Sequence, residues 1–133
     1  MPPLKVAEAF VAAVNSGQVD RLVGLMTADH MFVDADGSEH VGRDHMTQGW
    51  REYFDLVPDF RIEVLDRFVE NETVVLLGQA DGTFAQNGEL KPENHWSVPA
   101  AWRVIIDSEL VAVWQLYANQ HSMHEILERI RTG

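Results

Sequence analysis

Two segments late in the chain, Thr73–Phe84 and Glu109–Asn119, read as strands that are apolar on both faces. In the second, Val111, Val113 and Tyr117 alternate with Leu110, Ala112, Trp114 and Leu116; in the first, Val75 and Leu77 oppose Val74 and Leu76. Successive side chains of a strand point to opposite faces, so both faces of this sheet need cover. Helices from the same chain can cover one face. The other is expected to meet a second copy, giving a homodimer through the sheet.

The helices come first. Ala7, Phe10, Val11 and Val14 follow the i, i+3, i+4, i+7 rule and predict a helix over about Leu4–Asn15, stopped at Ser16–Gly17. Val19, Leu22, Val23 and Met26 continue the period in a second helix. Short strands around Met31–Asp34 and Glu39–Val41 flank the Asp36–Gly37 turn signal. Gly42 and Arg43 then lead into a third helix with Met46, Trp50, Tyr53 and Val57 on one face, ended by Pro58.

Strands fill the second half. Phe60, Ile62 and Val64 alternate with polar residues, and Glu70–Glu72 turns into Thr73–Phe84. After a polar loop over Ala85–Asn94 come His95–Asp107 and Glu109–Asn119, joined tightly at Asp107–Ser108. Ser122, with Glu125 three residues on, is expected to cap a last short helix. Helices followed by an antiparallel meander imply α+β architecture in one domain, residues 1–133, with helices folded over one face of a curved sheet.

Composition removes several function classes. Ten Lys and Arg against 21 Asp and Glu give a net charge of −11, with no basic run to displace counterions from nucleic acid. The absence of cysteine rules out disulfides and thiolate chemistry. Lys5 precedes AFVAAV as in an export signal, but Glu8 interrupts a run that is short and amphipathic. No segment approaches membrane-spanning length, and a soluble cytoplasmic protein is expected. The nine glycines are scattered and build no phosphate loop. His121, His124 and Glu125 give HxxHE rather than HExxH, so neither metal nor organic cofactor is expected. Ser97 and Ser122 lack a nucleophile-elbow pattern.

Asp34 stands out among the acids because Met31, Phe32 and Val33 precede it. Partial desolvation by such neighbours tunes a carboxyl group toward proton transfer. Asp36 belongs to the turn, whose geometry aspartate tolerates. Period-two alternation groups the strand side chains: Tyr117 with Gln115 and Val113, Trp102 with Ala100, Val98 and Trp96, Leu77 with Gln79 and Asp81. Gln79, Trp96, Trp102 and Gln115 are thus candidate hydrogen-bonding groups of a pocket, with Phe10, Phe32, Trp50 and Tyr53 as further substrate-binding residues. His40 and His45 are expected at the surface, and His95 on the face opposite Trp96.

The segment FVAAVNSGQVDRLVGLMTADHMFVDADGSEHVGR, with its order of helix, helix, strand, glycine and helix, resembles the nuclear transport factor 2-like superfamily. Within it the chain is most similar to the SnoaL-like polyketide cyclase and ketosteroid isomerase branch, from Val6 to about Asn119. The resemblance implies a cone: a bent antiparallel sheet wrapped around the N-terminal helices and the third helix, with a deep apolar pocket open at one end. Ketosteroid isomerases carry their base before the turn in a segment resembling VEDPVGSE, and FVDADGSE puts that base on Asp34. Their oxyanion donors, a tyrosine and a protonated aspartate, fall on Phe10 and about Ala100. Removing one such donor costs ~100- to 1000-fold in rate, so steroid isomerisation itself is not expected. SnoaL-like sequences also often carry an aspartate two residues after the last-strand tyrosine, where this chain has Tyr117, Ala118, Asn119.

These readings converge on a pocket protein for a small hydrophobic, cyclic molecule. As an enzyme it would be an isomerase or cyclase in which Asp34 moves a proton and Tyr117, Gln79 or a tryptophan N–H steadies the developing negative oxygen. A ligand-binding protein without chemistry, and a dehydratase or hydrolase of the same fold, are the alternatives.

Overall fold

Proline at a helix start fixes φ where no amide donor is needed, and α1 begins accordingly at Pro3 and runs to Asn15. The computed structural model describes all residues, Met1–Gly133. After α1 come α2 (Val19–Gly24), β1 (Met26–Val33), β2 (Glu39–Val41) and α3 (Arg43–Leu56). β3 (Arg61–Glu70), β4 (Thr73–Thr83), a 3-10 turn (Pro92–Asn94), β5 (His95–Asp107), β6 (Leu110–Ala118) and α4 (His121–Thr132) complete the chain. No helix is long and apolar enough to cross a membrane.

The six strands form one open sheet in the order β2-β1-β6-β5-β4-β3. The meander from β3 to β6 is antiparallel, as the sequence implies. One pair departs from that expectation: β1 lies parallel to β6, with Phe32 beside Trp114. β1 also starts at Met26, well before the predicted strand, because Met26 ends the helical period yet pairs with Val111. Ser122 does not cap α4; Gln120 precedes the helix and no side chain caps it.

Burial decides which strand face is inner. On β5, Trp96, Val98, Ala100, Trp102, Val104 and Ile106 are buried, and β4 contributes Val74, Leu76 and Ala80. α1 packs on this face through Val6, Phe10, Val11 and Val14, with the Phe10 ring 4.6 Å from that of Trp114. At the edge of β3, the Asn15 side chain accepts the Ile62 N–H at 2.7 Å and donates to the Ile62 carbonyl at 2.9 Å. That pair ties the end of α1 to the strand and covers part of an edge that would otherwise stay unpaired.

Two glycines set the shape. Gly42 has φ +110°, a conformation other residues rarely adopt, and its N–H bonds the His30 carbonyl at 2.7 Å while the chain turns from β2 into α3. The β3–β4 register shifts between Val64 and Asp66, opposite Gly78 and Leu77. The extra residue is a bulge, which bends and twists the strands around the inner face.

Candidate functional site

A cavity of about 460 Å³ opens between the inner sheet face, α3 and α4, lined by 24 residues of which 17 are hydrophobic. That volume lies in the usual range for a small-molecule pocket. Trp50, Tyr53, Phe60, Phe84 and Trp96 form a continuous aromatic wall: neighbouring centroids lie 6.1 Å (Trp50–Tyr53), 5.0 Å (Tyr53–Phe60), 6.0 Å (Phe60–Trp96) and 5.9 Å (Phe84–Trp96) apart. The Trp96 indole N–H is buried and without a protein partner. Asp34, His40, His45, Glu52, Tyr53, Gln120 and His124 supply the ionisable and amide groups of the lining.

Asp34 follows β1 directly. Phe32 lines the cavity, so a residue two further along the chain is aimed to the same side. The turn holds it from both sides: the Asp34 N–H donates to Ser38 O at 2.9 Å, and Gly37 N–H donates to Asp34 O at 2.9 Å. Its Oδ1 accepts the Ala35 N–H at 2.7 Å and the Gln120 amide at 3.3 Å. Oδ2 receives no hydrogen bond from the protein, which leaves one oxygen of a half-buried carboxylate open to a ligand. Asp36 stays in the turn, where Ser38 N–H and hydroxyl hold its carboxyl below the ordinary range.

Tyr53 sits on α3, one turn after Trp50 and Gly49. Its hydroxyl titrates above the ordinary value near 10, first because burial disfavours the phenolate and second because the Asp34 charge repels it. The phenol therefore stays neutral and remains a hydrogen-bond donor in the cavity that Asp34 also lines. Sequence reasoning assigned Tyr53 to binding alone; its electrostatic coupling to Asp34 arises from α3 folding across β1.

Of the predicted site residues, Asp34, Phe32, Trp50, Tyr53, Trp96 and Trp102 line the cavity together. Four do not. Tyr117 is 52% exposed on the outer face, opposite Ala101, because Trp114, Leu116 and Ala118 take the inner positions of β6. Gln115 shares that outer face and accepts a hydrogen bond from Arg103 at 3.4 Å. Gln79 is exposed, and its amide oxygen accepts from the Ser97 hydroxyl at 3.3 Å, outside any pocket. Phe10 is buried in the core beneath the cavity, stacked on His30 at 6.0 Å.

The rim holds residues that sequence reasoning missed. His45 is exposed and His40 half-buried, at the surface as expected, and the two rings stack at 5.7 Å along the cavity lining. For His40 a signal existed: the Asp36–Gly37 hairpin pairs it with Phe32, so the two share a face. For Gln120 and His124 there was none, because α4 folds back over the mouth after the last strand. Arg129 anchors α4 there through Asn94 Oδ1 at 3.0 Å and the Glu93 carbonyl.

Two polar clusters lie beside the cavity. His30 is fully buried; its Nδ1 meets Val111 O at 2.7 Å, so that nitrogen carries the proton and Nε2 is bare. Burial lowers its pKa, outweighing the Val111 hydrogen bond and the Asp29 charge. At the far end, Asp59 accepts the Thr83 N–H at 2.7 Å and the Thr83 hydroxyl at 2.8 Å, and that hydroxyl in turn accepts from His95 Nδ1 at 2.9 Å. This clamp fastens the loop after α3 to β4 and β5.

Comparison with known proteins agrees with this architecture. A protein from Shewanella denitrificans OS-217 assigned as a SnoaL-like polyketide cyclase superposes with a TM-score of 0.81 at 14% identity, over 96% of this chain and 97% of that one. An epoxide hydrolase of the LEH-like type from M. tuberculosis gives 0.78 at 14%, over 98% and 92%. A ketosteroid isomerase-like fold from Catenulispora acidiphila DSM 44928, solved in complex with trimethylamine, gives 0.76 at 19%, over 89% and 88%. Identities this low establish the shared fold and not a shared reaction. No curated protein matches the chain in sequence. The sequence pattern of the SnoaL-like domain matches residues 7–116, and the chain belongs to that family.

Proposed function

We propose that the cavity binds a cyclic, mainly apolar molecule and that Asp34 moves a proton on it, as in an isomerase or cyclase. Oδ2 of Asp34 would take a proton from a carbon next to a carbonyl. The C–H electron pair then passes into the carbonyl, and the enolate oxygen accepts a hydrogen bond from the neutral Tyr53 hydroxyl. Returning the proton from Asp34 to another carbon of the same system completes an isomerisation; attack by the enolate carbon on a second carbonyl pushes that C=O pair onto oxygen, and the proton held by Asp34 passes to the new alkoxide to complete a ring closure. Gln120 holds the opposite carboxylate oxygen and so directs Oδ2. The observation carrying this reading is the half-buried carboxylate with one free oxygen beside a phenol kept neutral, within an otherwise aromatic lining. Tyr53 here takes the part that sequence reasoning gave to Tyr117 or Gln79.

The outer sheet face supports a second element of the reading, a homodimer. Phe68, Leu77 and Tyr117 are 57%, 38% and 52% exposed there, on a face no helix of this chain covers.

Hydrogen–deuterium exchange tests the chemistry without knowledge of the natural substrate. Cyclic β,γ-unsaturated ketones incubated in D₂O with the protein are expected to exchange their α-protons, followed by proton NMR. Asp34→Asn keeps the acceptor for the Ala35 N–H and is expected to slow exchange ~100-fold or more, while ketone binding persists. Exchange at the same rate in Asp34→Asn refutes the assignment of the base.

A further inference from the structure

We propose that the molecule this cavity takes carries a cationic amine on its apolar body. The proposal rests on the reading above that the cavity binds a ring-sized ligand beside Asp34, and it specifies the ligand's charge.

Three observations lead to it. The lining contains two carboxylates, Asp34 and Glu52, and neither lysine nor arginine; its other ionisable groups are Tyr53 and three imidazoles. The fixed charges of the lining are thus carboxylates alone. An anionic ligand would meet repulsion without a compensating cation. A neutral ligand covering Asp34 would strip water from a carboxylate and supply no counter-charge, which is costly.

The aromatic wall has the second feature. The Tyr53 ring stands at 89° to Trp50 and at 83° to Phe60, so consecutive walls meet near right angles around the Tyr53 corner. Ring faces carry negative potential, and a cavity walled by aromatic rings attracts an alkylammonium group wherever a face is open to it. Asp34 supplies the negative charge felt at that corner.

The third is the field of the whole chain. A net charge of −11 concentrates cations near its surface, and an apolar-walled cavity focuses that field.

The test uses three probes titrated against the native protein at about pH 8, read by tryptophan fluorescence: benzyltrimethylammonium, its uncharged isostere neopentylbenzene, and 3-phenylpropionate. Water favours transfer of the uncharged isostere into an apolar site, so preference for the ammonium is diagnostic. The cation is expected to bind about tenfold more tightly than the isostere, and the anion most weakly. In the Asp34→Asn, Glu52→Gln double variant that preference is expected to shrink to threefold or less, with isostere affinity unchanged. Equal or tighter binding of the isostere overturns the cationic ligand and leaves the proton-transfer reading standing. Preferred binding of the anion overturns it as well. Failure of all three to bind overturns both this proposal and the reading of the cavity as a ligand site.

Discussion

Replacing Gly78 with alanine is expected to lower the melting temperature by roughly 10 °C. A Cβ on Gly78 would lie 1.8 Å from the Glu63 carbonyl oxygen and 2.9 Å from its carbonyl carbon. Close carbon–oxygen contacts begin near about 3.3 Å, so β3 and β4 would have to part by about 1.5 Å at this point. The obstacle is backbone, and no rotamer change relieves it. Parting the strands breaks ladder hydrogen bonds beside the bulge, each worth about 1 kcal/mol net and more where a buried partner stays unpaired. Two such losses with the residual strain come to about 3 kcal/mol. An unfolding entropy of about 2.1 cal/mol/K per residue gives roughly 0.28 kcal/mol/K for 133 residues, so about 3 kcal/mol corresponds to about 11 °C. Thermal melts followed by circular dichroism measure this directly, with Gly24→Ala as the control, since a Cβ at Gly24 meets nothing within 4 Å. The control is expected to melt at or slightly above the native temperature. A Gly78→Ala protein melting within about 3 °C of native would refute the close approach of β3 to β4 and the account of how the sheet bends around the cavity.

His30 makes stability depend on pH in a defined direction. Its folded-state pKa lies below the ordinary 6.5, so as pH falls through that value the unfolded chain binds a proton at His30 and the folded chain does not. Stability therefore falls with decreasing pH, by up to about 1.4 kcal/mol per unit, from about 6.5 down to the lowered folded-state pKa; above that window the contribution is constant. Urea titrations at about pH 7.5 and 5.5 on native protein and His30→Gln are expected to show the steeper loss in the native chain; equal slopes would refute it. Tyr53→Phe keeps the ring and removes the donor, and is expected to slow α-proton exchange about 100-fold with little change in ligand affinity, read by the same NMR assay. Tyr117→Phe, on the outer face, is expected to leave both unchanged. Phe68→Asp with Leu77→Asp is expected to convert a native dimer to monomer in sedimentation experiments, and a monomeric native protein would refute the paired outer faces.

Much of the fold could be read from residue order, because helix periods and turn residues are local signals. β5 runs from His95 to Asp107 as predicted, since the polar loop before it and the Asp107–Ser108 turn after it punctuate both ends. Ser108 and Glu109 both take positive φ in that turn, which permits a tight connection into β6. The parallel β1–β6 pairing gave no such signal. It joins segments separated by four intervening strands and a helix, and only global packing brings them together. Orientation of β6 was open for a related reason. Its two faces are nearly equally apolar, so alternation alone could not choose between Trp114 and Tyr117. Burying the larger indole against Phe10 and Trp102 wins, and the polar hydroxyl of Tyr117 goes outward.

The same competition explains why the candidate base was easier to find than its partners. Asp34 is positioned by neighbours within the Asp34–Ser38 turn, and short-range chemistry in the sequence is enough to mark it. Gln120 reaches it from 86 residues away, and Tyr53 faces it from a separate helix. Neither residue type is distinctive at its own place in the chain. Tyr53 follows the apolar period of α3 and reads as packing until the sheet curves around that helix. The curvature comes from the bulge opposite Gly78, so the electrostatic environment of Asp34 depends on a glycine in a different strand. A change at Gly78 that left the chain folded but flattened β3 and β4 would move Ile62 and Ala80 of the cavity wall and open the site to water. Loss of ligand binding would then come before loss of the fold.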